Sequence, residues 1–432
     1  MSPRQFCFGS PVTVPEKKKS SLVVLGPGLI AGASDDDPSG IATYSQVGAQ
    51  FGTALNWTLL FSFPFMCAIQ MISANIGRVT GKGLAGNLRA HYPRGFLYAM
   101  VLLLFVANAI NIGADLGAMA GALQLIIGGP TLLYAVLLGL VIAGLEIYVS
   151  YKRYASILKY LCLSLFTYVL VLLVVDVPVT ALNDLVWPKI SWQPEYLTAI
   201  VAILGTTISP YLFFWQAEQE VEDEECDVDK SPLLQSPEQA PAEFKRIRLD
   251  TYIGMFFSNA IALCIMLTAA LTLHLHGITD VDSAAKAAEA LKPIAGNSAF
   301  LLFAVGIVGT GLLAVPVLAG SAAYAVGEAF KWPVGLDRKP LEARAFYGTL
   351  AFATAIGVAL NFTPLNPMKA LFWAAVINGV VAVPVMAATM LMAGNTRIMG
   401  KFTVRGGLKI MGWLTALLMA IAVIGMLVQF AG

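Results

Sequence analysis

Asp35, Asp36 and Asp37 stand in a row and are followed at once by Pro38, Ser39 and Gly40. The row interrupts an apolar run that begins at Ser21 and resumes after Gly40. Carboxylate, hydroxyl and freed carbonyl oxygens are hard donors, suited to Mg²⁺, Mn²⁺ or Ca²⁺ rather than copper or zinc. A carboxylate at membrane depth costs from about 2.5 to well over 10 kcal/mol, and such groups usually serve a pathway or an ion. Successive helical residues point about 100° apart, so the three acids cannot all face one ion. Asp37 is the expected ligand, because the residue before a proline is pushed out of the α region and Pro38 offers no N–H. Asp36 and Asp35 are candidates for lining a cavity, against the plainer reading of a polar patch wetted by a vestibule.

These residues need a scaffold, and composition says which kind. Of 432 residues, 58% are hydrophobic and 12% charged, about half the charged share of a soluble domain. Apolar blocks of roughly 20 residues recur throughout, enough to cross a bilayer as helices. They are continuous rather than alternating, which argues against a β-barrel. The expectation is an all-α polytopic membrane protein of eleven spans: 21–52 (broken), 54–77, 96–126, 130–149, 155–175, 196–218 (interrupted), 250–274, 297–328, 344–361, 366–393 and 407–430. Residues 1–20 read as a cytoplasmic tail without a cleavable signal, and 21–432 as one transmembrane domain. The long connection, 219–249, reads as a cytoplasmic loop, acidic from Glu218 to Asp229, then Pro/Ser/Gln-rich, and partly disordered; the acidic run reads as solvated, against the sharper alternative that it concentrates or senses divalent cations.

A second interruption stands in span six, "ILGTTISPYLFFWQ", where Ser209 precedes Pro210. Spans one and six each open a block of five. That is the pattern of two inverted repeats whose discontinuous helices meet near the bilayer midplane and expose carbonyls to cations. A pair of ordinary proline kinks is the bland alternative, but the carboxylate in the first break and the interval of five spans favour a shared site. Ser39, Gly40, Ser209 and Tyr211 flank the two breaks. Thr206 and Thr207 could add oxygens or bond their own helix backbone. Asn378, mid-span ten, could line the site or bond a neighbouring helix. Gln46 and Gln216 are lesser cases, and Glu146 and Glu328 could cap helices or pair with basic groups.

Of the 27 Lys and Arg residues, 23 fall in connections on one side and 4 on the other. That bias puts the N-terminus in the cytoplasm, the C-terminus outside and the chain in the cell membrane. A net charge of +1 gives no basic surface for nucleic acid. His91, His274 and His276 are too sparse for a histidine metal cage. The five cysteines form no CxxC pair and read as buried free thiols. No ATP-binding signature suggests a pump. No cofactor is expected, the protein is not expected to be an enzyme, and a monomer in lipid is.

The stretch "DPSGIATYSQVGAQFG" resembles the first helix of the Nramp family of divalent-metal transporters, which carries a DPGN motif followed by a segment like "IATNIQAGAQFG". The likeness extends more loosely over spans one to ten, including "NIGADLGAMAGAL" in span three. It implies the LeuT-type fold, 5+5 inverted repeats plus an eleventh helix, and transport of a divalent cation with Asp37 in the place of the family aspartate. The departures carry information too. Gly40 replaces the family asparagine, and Ser209-Pro210-Tyr211 replaces a Met-Pro-His motif. A hydroxyl for a thioether shifts preference toward hard ions. Fewer protein ligands suit Mg²⁺, which dehydrates reluctantly and keeps waters. The pattern therefore looks like the Nramp-related magnesium transporter branch, carrying Mg²⁺ and Mn²⁺.

In span three, Asp115 matches the first member of a family acidic pair, but Ala118 stands where its glutamate would be. Tyr211, with an ordinary pKa near 10, replaces the sixth-helix histidine. Transport uncoupled from protons is the expectation. The alternatives are a proton-coupled Mn²⁺/Fe²⁺ importer with a diverged site, an amino-acid symporter of the same fold, and a receptor-like protein that binds a cation without moving it.

Overall fold

The computed structural model describes residues 27–431, except 150–162, 164, 176, 189, 228 and 337. The expected tail, Cys7, Cys162, the start of span five and its basic residues Lys152, Arg153 and Lys159 lie outside the described residues. Among the described residues, eight helices are long and apolar enough to cross a membrane. They are spans two (Trp57–Thr80), three (Arg94–Ile127), four (Thr131–Tyr148), six (Pro194–Glu225), seven (within Pro237–His276), eight (Ala299–Phe330), ten (Pro367–Ala393) and eleven (Gly406–Phe430). Span one is split into Pro27–Asp35 and Pro38–Phe51, span nine is the shorter Arg344–Leu360, and span five is described over Phe166–Val174.

Proline by itself does not break these helices. Pro64, Pro316 and Pro384 all sit inside continuous ones. Pro38 and Pro210 instead occupy the first turn of a new half-helix, where the missing N–H costs nothing. The residues ahead of them are extended: Asp37 at φ −70°, ψ 171° and Ser209 at φ −75°, ψ 131°. Span six therefore divides into Pro194–Thr207 and Pro210–Glu225.

The interrupted helices lie at the centre. Span six is 94% buried along its apolar window, whereas span eleven is 33% buried and so lies at the periphery. Spans three, eight and ten pack around the centre, and span seven runs along span one. Several of these helices cross with backbone against backbone. A Cβ on Gly32 would lie 2.3 Å from the Gly254 carbonyl oxygen, and one on Gly205 would lie 2.0 Å from that of Ala375.

The region after span six departs from the loop expected there. The helix runs on to Glu225, and another begins at Ala240. Glu218, Glu220, Glu222 and Glu224 are buried, not solvated. Cys67 and Cys264 carry free thiols, as read from the sequence, but Cys226 is disulfide-bonded.

Candidate cation site

Asp37 is the N-cap of the second half of span one. Its Oδ1 accepts the Gly40 N–H at 2.6 Å, so the carboxylate sits at the positive end of a helix. Its Oδ2 accepts from the Asn111 amide of span three at 3.0 Å. The Ser39 N–H and the Tyr211 hydroxyl also face it. Each carboxylate oxygen has two lone pairs, so these bonds orient Asp37 and leave acceptor capacity on it.

The two breaks are in contact. A Cβ on Gly40 would stand 3.1 Å from Thr206 Oγ1, so glycine here lets span six approach. Four hydroxyls around the gap, those of Ser39, Thr207, Ser209 and Tyr211, donate to backbone. Ser209 donates to the carbonyls of Gly205 (2.8 Å) and Thr206 (2.9 Å), and Ser39 to that of Leu371 in span ten (3.0 Å). Thr207 donates to Ile203 at 2.9 Å, the helix-backbone alternative. A hydroxyl that has spent its proton on a carbonyl presents only lone pairs, which is the state a cation needs. Tyr211 donates to the Ser34 carbonyl at 3.3 Å.

Four carboxylates gather at this level: Asp35, Asp36, Asp37 and Asp115, each at most 5% exposed. Asp115 is one helical turn beyond Asn111 and faces Asp37 and the Ser39 amide. Asp35 and Asp36 turn the other way, to span seven, where Ser258 donates to Asp35 at 2.6 Å and reaches Asp36 at 3.4 Å. Among the described residues, no Lys, Arg or His side chain forms an ion pair with any of the four. Nor do three or more His, Cys, Asp or Glu side chains form a metal cluster among them. The other polar groups beside Asp37 are neutral: the Asn111 amide, the Tyr211 hydroxyl and backbone N–H groups.

Asn378 is buried in span ten, where that helix presses on Gly205, and its side-chain oxygen has no hydrogen-bond partner among the described residues. Gln216 stands apart from the break, about 9 Å further along its helix. Its amide donates to Thr251 at 3.1 Å, in a layer where Asp250 accepts the Gly28 N–H at 2.7 Å. Gln46 bonds the Thr279 carbonyl and the Val281 N–H near the other end of span one. Glu328 accepts the N–H groups of Gly83 and Gly86 and so caps the helix Leu84–His91. Glu146 is buried without a partner among the described residues.

Asn111 and Ser258 were not anticipated. Asn111 had a signal, since Asn108, Asn111 and Asp115 recur at helical spacing in an apolar span. Ser258 had none, because a lone serine in a membrane helix is ordinary.

A family model described as natural resistance-associated macrophage protein-like (Nramp) matches residues 28–429. A divalent metal cation transporter MntH of Klebsiella pneumoniae (strain 342) is 26% identical over 413 residues, covering 92% of this chain and 91% of that protein. One from Yersinia enterocolitica is 28% identical over 332 residues, covering 74% and 77%. Among solved structures, a manganese transporter of Eremococcus coleocola aligns with TM-score 0.72 at 18% identity, over 98% of this chain and 91% of that one. MhsT in complex with L-phenylalanine aligns with TM-score 0.56 at 15% identity, over 97% and 99%. The fold is thus the LeuT type: two repeats of five spans, each opening on a discontinuous helix, with an eleventh helix added.

Proposed function

The chain belongs to the Nramp family, and from that premise we propose that it moves divalent cations across the cell membrane by alternating access, taking Mg²⁺ as well as Mn²⁺ and without obligatory proton transfer. The curated relatives are divalent metal cation transporters by name, which supports the substrate class. The observation that carries the finer reading is the chemistry around Asp37. One carboxylate is oriented by Gly40 and Asn111, and the positions about it supply hydroxyl and backbone oxygen with no sulfur or imidazole. Asp37, Ser209, Ser39 and the Gly40 backbone are the proposed coordinating positions, with Thr207, Tyr211 and Asn378 completing the shell directly or through waters. Asp36, Asp35, Thr206 and Asp115 line the approach.

A hard, partly hydrated ion suits such a shell. Tyr211 and Ala118 stand where titratable groups would serve a proton route, so the membrane potential is left to drive uptake. It favours inward movement of a divalent ion by about 4.6 kcal/mol per 100 mV, twice the single-charge value. An amino-acid substrate fits poorly, because its carboxylate would meet the buried acids Asp37 and Asp115. The N-terminus is proposed to be cytoplasmic.

Liposomes loaded with a Mg²⁺-sensitive dye and a pH dye test the reading. A Mg²⁺ signal under a negative-inside potential, with lumenal pH steady, is expected. Mn²⁺-driven acidification with no Mg²⁺ entry would replace it with the proton-coupled alternative.

A further inference from the structure

Span seven begins with three basic residues of different fate. Arg246 faces inward and is neutralised by Glu220 and Glu243. Lys245 and Arg248 point elsewhere, are exposed, and form no ion pair among the described residues. Three residues apart, they share one helix face. Both line a cavity of about 470 Å³ between spans two, seven and eleven. Its floor is apolar, from Met71, Ile247 and Leu408, and Asn75 adds an amide at the wall.

Directly beyond this cationic rim the same surface turns apolar. Leu249, Tyr252 and Phe256 of span seven are exposed, as is Ile410 of span eleven. Exposed residues of this kind on a membrane-spanning helix face acyl chains. The groove therefore stands at the boundary of headgroup and hydrocarbon, with two unanswered positive charges above and an apolar wall below.

We infer that this groove is a binding site for an anionic phospholipid, with Lys245 and Arg248 holding the phosphate and the Met71–Leu408 floor receiving the glycerol and first methylenes. Charge complementarity selects the headgroup. Of the acids nearest on the helix, Glu243 is committed to Arg78, Arg246 and Lys230, and Asp250 is buried and accepts the Gly28 N–H, so neither forms an ion pair with the rim among the described residues. A zwitterionic headgroup would bring its own cation to a site that already has two. A soluble phosphate would meet the cationic rim but gain nothing from the floor. The bound lipid would tie spans two, seven and eleven together at one end of the molecule.

Each basic residue near a membrane surface contributes roughly a fivefold gain in anionic-lipid affinity, or about thirtyfold for the pair. The test is lipid titration into the purified full chain, read by native mass spectrometry, with phosphatidylglycerol and phosphatidylcholine of identical acyl chains. Phosphatidylglycerol is expected to bind more tightly than phosphatidylcholine. The double variant Lys245→Gln/Arg248→Gln should lose about thirtyfold in phosphatidylglycerol affinity and leave phosphatidylcholine unchanged. The exchange Lys245→Arg/Arg248→Lys should retain binding, as should Lys401→Gln, which removes a cation outside the groove. Equal binding of the two lipids, wild-type affinity in the double variant, or an equal loss in Lys401→Gln would overturn the inference. So would displacement of the lipid by glycerol 3-phosphate, which would reduce the groove to a plain anion site. None of these readings depends on metal transport.

Discussion

Two regions of the molecule bury carboxylates in number, and they settle them in opposite ways. At the end of span six that continues from Pro210, acids are answered by the chain itself. Arg78, 1% exposed, donates to Glu224 and Glu243 at 3.1 Å each, and to Gln239 and the Ser231 carbonyl. Arg246 answers Glu220, and Glu222 takes the Tyr324 hydroxyl (2.5 Å) and the Leu336 N–H (2.6 Å). At the break, Asp35, Asp36 and Asp37 receive hydrogen bonds, both oxygens of Asp115 have no hydrogen-bond partner, and none of the four has a basic partner among the described residues. A buried charge without a partner is costly. In the first region ion pairs close Glu220, Glu224 and Glu243, which read as structure, while Glu218 lies beside Glu328 without a basic partner among the described residues. The second lacks positive charge, and a visiting divalent cation would supply it.

That contrast can be broken by exchanging what each region depends on. The largest effect is expected at Asp37. Asp37→Ala should bring Mg²⁺ and Mn²⁺ flux in liposomes to the protein-free background, and unchanged flux would remove Asp37 from the site. Asp37→Asn should be no less stable than wild type without metal, since it deletes an unanswered charge. It should also lose the rise in thermal midpoint that a bound cation gives the native state. Arg78→Ala should do the opposite. Removing one partner of a buried ion pair costs about 3–5 kcal/mol, so its thermal midpoint in detergent should fall with or without Mg²⁺. If Arg78→Ala proved neutral and Asp37→Asn destabilising, the two regions would have been assigned the wrong way round.

The break was the most legible part of the sequence, because its signals are local. Asp37-Pro38 and Ser209-Pro210 each have short polar and glycine neighbours, unlike Pro64, Pro316 and Pro384 in apolar runs, and each has an extended residue ahead of a new helix. Which way each acid turns was half legible. Helical geometry separates Asp37 from Asp35 and Asp36, but the partners Asn111 and Ser258 lie 74 and 223 residues from the acids they bond. The acid run after span six was misread in part as solvated. Counted alone, Glu218 to Asp229 looks like a charged loop. Its inner face, Glu218, Glu220, Glu222 and Glu224, is buried, and Arg78 and Arg246 come to Glu224 and Glu220 across 146 and 26 residues of chain, a fact of tertiary packing that no local pattern carries; Glu225, Asp227 and Asp229 are exposed as expected. Gln216 was drawn toward the site by its type and sits elsewhere by its place on the helix.

Smaller substitutions sharpen what the break selects. Asn111→Ala removes the amide that holds Asp37 Oδ2. Partners that orient a metal's ligands are typically worth 10- to 100-fold in affinity. Isothermal titration should show about a tenfold weaker Mg²⁺ affinity, with Mn²⁺ weakened alike because both rely on the same carboxylate. A change for one ion alone would mean that Asn111 touches the ion itself.

Ser209→Met should alter discrimination more than affinity. The Ser209 hydroxyl now spends its proton on the Gly205 and Thr206 carbonyls and presents lone pairs to the gap. A thioether has no proton to donate, so both carbonyls lose that bond, and its sulfur is a soft donor that favours softer cations. The variant should gain several-fold for Mn²⁺, and more for Cd²⁺, relative to Mg²⁺, read as ratios of affinity by titration. Ser209→Ala separates the two consequences, because it frees the same carbonyls without adding sulfur. If Ala reproduces the shift seen with Met, selectivity lies in the carbonyl arrangement at the end of the first half-helix. If only Met shifts it, the side chain at residue 209 faces the ion and sets its hardness.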